Sequence, residues 1–326
     1  MRLAVLGGGA WGTALAAHAS RAGLAVRLWI REPEVVAAVN DRHLNPTYLP
    51  GVELPAGLRA TSALAEALAD AETVLVAIPS EFCREIYRRA GRLAPARASF
   101  VSATKGLEVG SLQRMTEVAA AEAPGRPLGA LSGPSFALEV AKALPTAVVV
   151  AAADHAVAER VQQALATRSF RVYSSEDVVG VELAGALKNV IAIAAGIIDG
   201  LGYGHNTEAA LITRGLAEIS RLAVALGARP DTLAGLAGLG DLVLTCTGAL
   251  SRNRTVGRRL GQGQSLAEAS AGLHPEGVRT TLAACALSER EGIEMPIALQ
   301  MKAVLHEGKP PREALDELML RSLKRE

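Results

Sequence analysis

The segment Gly185-Ala186-Leu187-Lys188-Asn189-Val190 places a lysine and an amide inside an otherwise apolar stretch. Taking an ammonium out of water is costly. A lysine in that setting needs a counter-charge, a depressed pKa, or a path to the surface along its own stem. Leu239-Gly240-Asp241-Leu242 offers the counter-charge, a carboxylate in a glycine-rich apolar loop, although capping of that loop would also explain the aspartate. A lysine held in this way can pass a proton to an oxygen that gains charge during a reaction.

Three more segments mix small residues with one reactive group. Ala103-Thr104-Lys105-Gly106-Leu107 follows a strand-like run, which puts Lys105 at a carboxyl edge, although by itself it reads as a surface lysine. Ser132-Gly133-Pro134-Ser135-Phe136-Ala137 also follows such a run and opens a helix, so its amides and Ser135 could receive a polar ligand. Thr247-Gly248-Ala249-Leu250-Ser251-Arg252-Asn253-Arg254 leads into another helix, with Ser251 as N-cap and Arg252 and Asn253 in the first turn. Capping explains the serine. It does not explain two arginines at the positive end of a helix dipole, whereas a phosphate there would be gripped by N–H groups, Arg252 and Asn253 together.

At the N-terminus, Gly7-Gly8-Gly9-Ala10-Trp11-Gly12 has GxGxxG spacing, follows the apolar run Leu3–Leu6 and opens an alanine-rich helix. That context is what the motif requires for a dinucleotide. Gly7 would make the tight turn, Gly9 would admit the pyrophosphate and Gly12 would let helix and strand pack closely. The next run ends Trp29-Ile30-Arg31-Glu32, with Arg31 about where an NAD site carries an acid. A guanidinium there welcomes a 2′-phosphate, so the reading favours NADPH over NADH. Glu32 would be the acid if the strand were longer, and both would be ordinary solvated residues if no nucleotide bound.

Elements must position these residues, and the first half supplies strands alternating with helices. Strand-like runs fall at Leu3–Leu6, Ala25–Trp29, Thr73–Ile78, Ser99–Ser102, Leu128–Leu131, Ala147–Ala151 and Arg171–Tyr173. Helical patterns fall between most of them, at Ala10–Arg21, Glu34–Asn40, Glu81–Ala90 and Leu112–Ala121. This is the pattern of βαβ units, an α/β fold with a Rossmann-type, doubly wound and mostly parallel sheet. Ligands in such folds collect at the carboxyl ends of the strands. Beyond about Val179 only helical periodicity remains, and Val190–Ile198 reads as a buried helix joining the halves. The expected division is a dinucleotide-binding domain over 1–185 and an all-helical substrate-binding and catalytic domain over 186–326.

Composition narrows the classes. The chain has 326 residues, half of them hydrophobic and 21% charged, enough for two packed domains. The apolar residues are mainly Ala, Leu and Val, which suits closely packed helices. A net charge of +1 without Lys/Arg blocks argues against a nucleic-acid partner. Cys83, Cys246 and Cys285 are scattered without CxxC spacing, as expected for reduced thiols in the cytoplasm. The six histidines show no HxxxH or HExxH spacing, so no metal is expected. No uninterrupted apolar run approaches the roughly 18 residues of a membrane span, and the N-terminus lacks a signal-peptide pattern.

Taken in this order and spacing, Gly7–Gly12, Thr104-Lys105-Gly106, Gly133–Ala137, Gly185–Asn189 and Ser251-Arg252-Asn253, with a weaker match at Pro275-Glu276-Gly277, closely resemble the bacterial NAD(P)-dependent glycerol-3-phosphate dehydrogenases over essentially the whole chain. The resemblance implies Lys188 as the proton-transfer residue. It also implies Lys105, Gly133, Ser135, Asp241, Ser251, Arg252 and Asn253 around a phosphorylated triose. Trp11, Arg31, Ala137 and Glu276, with Lys105 and Arg252, would touch the nucleotide. His274 belongs to that cofactor segment but departs from the pattern, since an apolar residue is expected there.

On that footing the chain would interconvert dihydroxyacetone phosphate and sn-glycerol 3-phosphate by hydride transfer with NAD(P)H, and so supply glycerophospholipid synthesis. Two rivals remain. A related 3-hydroxy-acid dehydrogenase would not need the Ser251-Arg252-Asn253 phosphate clamp, and a non-catalytic NAD(P)H sensor would not need Lys188 and Lys105. A homodimer is compatible with spare apolar surface on the helical half.

Overall fold

The computed structural model describes residues 1–322. The chain divides into two units, one of residues 1–105 and 113–182, the other of residues 106–112 and 183–326.

The first unit is a sheet with helices on both faces. In chain order it contains β1 (Arg2–Leu6), α1 (Ala10–Arg21), β2 (Ala25–Trp29), α2 (Pro33–Arg42), β3 (Leu44–Asn45), β4 (Leu49–Glu53), β5 (Arg59–Thr61), α3 (Leu64–Leu68) and β6 (Thr73–Val76). Then come α4 (Ser80–Leu93), β7 (Ser99–Ser102), α5 (Met115–Glu122), β8 (Leu128–Ser132), α6 (Ala137–Ala141), β9 (Thr146–Ala151), α7 (His155–Leu165) and β10 (Phe170–Ser175). Eight strands form one sheet in the order β10-β9-β8-β7-β6-β1-β2-β5, and β3 pairs with β4 in a separate antiparallel ribbon. All neighbours in the large sheet are parallel except β8 and β9.

Alternating side chains of one strand feed two cores. Leu3 and Val5 of β1 join residues of α1, α2, α6 and α7, whereas Ala4 and Leu6 join residues of α3, α4 and α5. A strand buried on both faces is mostly apolar, and the apolar stretches Leu3–Leu6 of β1, Val74–Val76 of β6 and Phe100-Val101 of β7 make these strands legible in the sequence. Strand order reverses between β1 and β6, so the loop after β1 opens at the switch point, where such sheets bind ligands.

The structure adds β3, β4 and β5, with α3 and α7, to what the sequence predicts, and α6 begins where Ser132–Ala137 is expected to open a helix. Four of these are five residues long or shorter, too short to carry a period, and β4 contains Pro50 and Gly51. Helix α7 is different: Val157, Ala158, Val161 and Leu165 are its buried positions and do carry helical spacing.

The second unit is helical among its described residues. It takes in most of α8 (Val178–Gly200), then α9 (His205–Ala225), α10 (Pro230–Ala234), a π turn at Leu236–Gly240 and α11 (Asp241–Thr247). After these follow α12 (Arg252–Gly261), α13 (Leu266–Ser270), α14 (Glu276–Glu291), α15 (Pro296–His306) and α16 (Pro311–Met319). By length and mean hydropathy α8 is long and apolar enough to cross a bilayer, although Glu182, Lys188 and Asn189 interrupt its apolar run. Its apolar window is entirely buried within the protein, as befits a core helix.

Small residues set the packing of α8. A Cβ on Gly196 would lie 2.0 Å from the Arg254 carbonyl oxygen, and one on Gly257 2.0 Å from that of Ile193. Gly196 and Gly200 of α8 thus face Gly257 and Gly261 of α12, each pair four residues apart, and the two backbones touch.

Candidate active site

The loop after β1 has the geometry of an anion cradle. Gly7 adopts φ +123°, and a Cβ there would strike the Ala77 carbonyl oxygen at 2.4 Å. A Cβ on Gly12 would lie 2.0 Å from the Gly7 oxygen, so α1 rests directly on the turn. Gly9, the N-cap of α1, has no side-chain cap, and a Cβ built on it meets nothing within 4 Å. Open space above uncapped N–H groups at the positive end of a helix fits the diphosphate of a dinucleotide.

The carboxyl edges of β7 and β8 bring four of the expected residues together. Lys105 Nζ donates to the Gly133 carbonyl (2.9 Å) and to Ser135 Oγ (3.4 Å). Ser135 Oγ in turn donates to the Gly133 oxygen at 2.8 Å. The same ammonium lies 6.0 Å from the Trp11 ring centroid, and the Trp11 indole N–H is anchored on the Ala103 carbonyl at 3.1 Å. Gly133 has φ +130°, the conformation that turns its carbonyl to the lysine. Lys105 is therefore an oriented cation, and Ala137 starts α6 just beyond this cluster.

In the second unit Lys188 does not reach the surface. Only 5% exposed, its Nζ donates to Asp241 Oδ1 at 2.5 Å and to Thr245 Oγ1 at 2.6 Å. The Thr245 hydroxyl lies 2.6 Å from the Asp241 backbone oxygen. Its proton goes to that carbonyl, leaving a lone pair for the lysine. Asp241 is 1% exposed and stands at the first position of α11, after the π turn, where the sequence suggested an apolar loop. The difference matters, because a helix at Asp241 stacks Thr245 one turn away on the same face. Sequence reasoning missed Thr245; its signal was the i, i+4 spacing, hidden once 239–242 was read as loop. Burial pushes the neighbouring Cys246 thiol up to about 12, with Lys188 opposing that rise, so it is no thiolate nucleophile near neutrality.

The start of α12 is divided. Ser251 caps it by accepting from the Arg254 N–H at 3.2 Å, and Arg252 is exposed. Asn253 turns inward instead: its Nδ2 donates to Asn189 Oδ1 (2.9 Å), and its Oδ1 accepts from the Gly277 N–H (3.0 Å). That amide ties α8 and α12 to the first turn of α14, which begins at Glu276. Arg254 pairs with Asp199 at 3.2 Å. His274 is exposed in the turn before Glu276.

Arg31 and Glu32 follow β2, with Arg31 paired to Glu32 at 2.8 Å. Two residues absent from the sequence reading support this region. Asn45, fully buried, donates to the Gly8 carbonyl and to Thr13 Oγ1, both at 2.8 Å, and Tyr48 reaches Glu32. Asn45 sits between a helix end and a two-residue strand, and no local pattern marks it.

Comparison with known proteins places the chain in a family. Residues 2–158 match the family model "NAD-dependent glycerol-3-phosphate dehydrogenase N-terminus", and residues 177–316 match the corresponding C-terminus. The chain is 53% identical to glycerol-3-phosphate dehydrogenase [NAD(P)+] of Geobacter sp. strain M21, over all of this chain and 98% of that one. It is likewise 53% identical to the Rhodospirillum rubrum protein of the same name, over 99% and 93% of the two chains. The crystal structure of glycerol-3-phosphate dehydrogenase from Coxiella burnetii superposes with a TM-score of 0.94 at 42% identity, covering 98% of this chain and 99% of that one. With its two halves each matching this family and a relative 53% identical over its whole length, the chain belongs to the NAD-dependent glycerol-3-phosphate dehydrogenases.

Proposed function

We propose that this protein interconverts dihydroxyacetone phosphate and sn-glycerol 3-phosphate with NADH or NADPH, and that NADPH is preferred. The observation that carries the reading is the buried Lys188–Asp241–Thr245 cluster, an oriented proton donor inside an apolar helical unit. The nicotinamide, when bound, supplies or takes up the hydride at C2 of the substrate.

The side chains then have separate tasks. Lys188 donates a proton to the oxygen on C2 as it becomes an alkoxide, and reclaims it in the reverse direction. Asp241 and Thr245 hold two of its N–H directions, so the ammonium does not rotate away from that oxygen. Lys105, fixed by Gly133 and Ser135, places a second positive charge for the substrate oxygens. Ser251, Arg252 and the N-terminus of α12 take the phosphate, and Asn253 contributes while it locks α12 to α8 and α14. Holding the phosphate away from the reacting carbon lets binding energy orient the ketone.

Gly7, Gly9, Gly12 and Trp11, with Arg31, Ala137, His274 and Glu276, form the nucleotide side of the reading. The three cysteines, all free and buried, support a cytoplasmic location. Exposed apolar side chains of the helical unit, such as Leu239, Val243 and Leu299, support a homodimer. The product would feed glycerophospholipid synthesis.

The test is loss of nicotinamide absorbance when dihydroxyacetone phosphate is added to purified protein, with NADPH and NADH side by side. Rapid oxidation that Lys188→Ala abolishes, and that Arg252→Ala weakens through KM, is the expected outcome. Turnover of a 3-hydroxy acid that Arg252→Ala leaves unchanged would overturn the assignment.

A further inference from the structure

A buried amide stands directly behind the glycine-rich turn. Helix α2 ends at His43, whose φ of 55° reverses the chain, and β3 is brought back against the loop after β1. Asn45, the second residue of β3, is fully buried. Its Oδ1 accepts from the Tyr48 N–H at 3.0 Å, which fixes the end of the amide that carries the hydrogens. The two Nδ2 hydrogens go to the Gly8 carbonyl and to Thr13 Oγ1, both at 2.8 Å. Thr13, buried as deeply, donates its own hydroxyl proton to the same Gly8 oxygen at 3.1 Å.

A carbonyl with two buried donors belongs to a peptide whose plane is held. The Gly8–Gly9 peptide is trans, so its C=O and its N–H point opposite ways. With the Gly8 oxygen drawn inward, the Gly9 N–H is turned outward, away from Asn45. Among the described residues nothing accepts from that N–H, and a Cβ on Gly9 meets nothing within 4 Å. Gly9 is also the N-cap of α1, so this N–H adds to the positive end of the helix. Neither glycine has a side chain to restrain it, and a peptide between two glycines swings readily unless something holds it.

We infer that Asn45, braced by Thr13, is a positioning residue that presets the Gly8–Gly9 peptide, so that the Gly9 N–H faces the diphosphate of the dinucleotide. The inference rests on the dinucleotide site of the proposed function. Being fully buried, Asn45 acts through the turn and not on the nucleotide itself. A donor already aimed needs no reordering when the ligand binds, and a preorganised site gains affinity in that way. Without the amide the Gly8 oxygen loses its stronger anchor and the peptide rotates. Both nucleotides share the diphosphate, so the effect is blind to the ribose 2′ position.

The experiment titrates the full chain with NADH and with NADPH, followed by nicotinamide fluorescence, and uses ADP-ribose and adenosine as displacing ligands. ADP-ribose carries the diphosphate and adenosine does not. Asn45→Ala should weaken NADH, NADPH and ADP-ribose by about tenfold each, the scale of one hydrogen bond. Adenosine should stay within about twofold of wild type. Thr13→Val should weaken the same three ligands by about threefold, and Thr13→Ser, which keeps the hydroxyl, should restore them. If Asn45→Ala does not fold, the two threonine variants decide the matter. Equal losses for adenosine and ADP-ribose would mean a loosened domain and would overturn the inference, as would unchanged ADP-ribose binding. A loss confined to one of the two nucleotides would overturn it as well, by moving the effect to the ribose. Wild type that binds both nucleotides but oxidises neither with dihydroxyacetone phosphate would sink the proposed reaction and leave this inference standing. Wild type that binds neither would remove both.

Discussion

Lys188 and Asp241 form a buried ion pair, each the counter-charge of the other. Two ions this deeply buried would each be strongly disfavoured alone, and removing one partner strands the second. Lys188→Met and Asp241→Leu are each expected to lower unfolding free energy by about 3–5 kcal/mol, while the double replacement recovers most of that loss. Urea denaturation of the four proteins decides the matter, and additive losses would show that the pair is not a coupled unit. The kinetic expectation is separate. Asp241→Asn should lower kcat by about 10²–10⁴-fold, the scale of a misplaced general acid. A pure KM effect in steady-state kinetics would mean that Asp241 serves substrate binding instead.

At the scale of the element, α8 and α12 meet through backbone, so the glycines between them carry shape as much as flexibility. Placing alanine at position 257 removes a helix-weakening glycine, worth up to about 1 kcal/mol in an open helix. Here the added Cβ would sit 2.0 Å from the Ile193 carbonyl oxygen, and the helices must separate. Gly257→Ala should therefore destabilise by about 1–3 kcal/mol, and should raise KM for the phosphorylated substrate because the Asn189–Asn253 bond shifts. A more stable variant, by urea unfolding, would contradict this packing. Legibility at this scale followed apolar pattern, with the eleven-residue α7 as the exception. Strands buried on both faces, such as β1 and β7, and long helices such as α9 could be read from pattern alone. The π turn before Asp241 could not, since Leu236-Ala237-Gly238-Leu239-Gly240 offers glycines that suit either a loop or a tight backbone approach.

For the molecule as a whole, a buried carboxyl remote in sequence from the catalytic segments links stability to pH. Glu218 on α9 accepts from the Ile297 and Ala298 N–H groups at the start of α15. Burial, outweighing those bonds, raises its pKa from 4.5 to about 7. In the folded chain this acid is protonated at pH values where the unfolded chain has lost the proton. Its contribution is thus fully present below about pH 4.5 and is lost as pH rises through about 7. The change amounts to about 3 kcal/mol across that window, at about 1.4 kcal/mol per unit. Unfolding free energies at pH 5 and pH 8, followed by far-ultraviolet circular dichroism, should show this slope in wild type and a flatter one in Glu218→Gln. Equal slopes would remove Glu218 from the account.

Sequence by itself determined what local patterns can specify. The GxGxxG turn between strand and helix, the alternation of the first half and the helical second half are all short-range features, and each residue of the expected site belongs to a short motif. Tertiary structure decided the pairings. Lys188 and Asp241 are 53 residues apart, Asn189 and Asn253 are 64 apart, and Gly8 and Asn45 are 37 apart. Nothing in one chain segment announces the segment it will meet, because a hydrogen bond or a glycine contact depends on distance in space. Thr245, Asn45 and Tyr48 stayed invisible for that reason. They acquire a role only when α11 winds beside α8 and when the β3 segment folds back onto the glycine-rich turn.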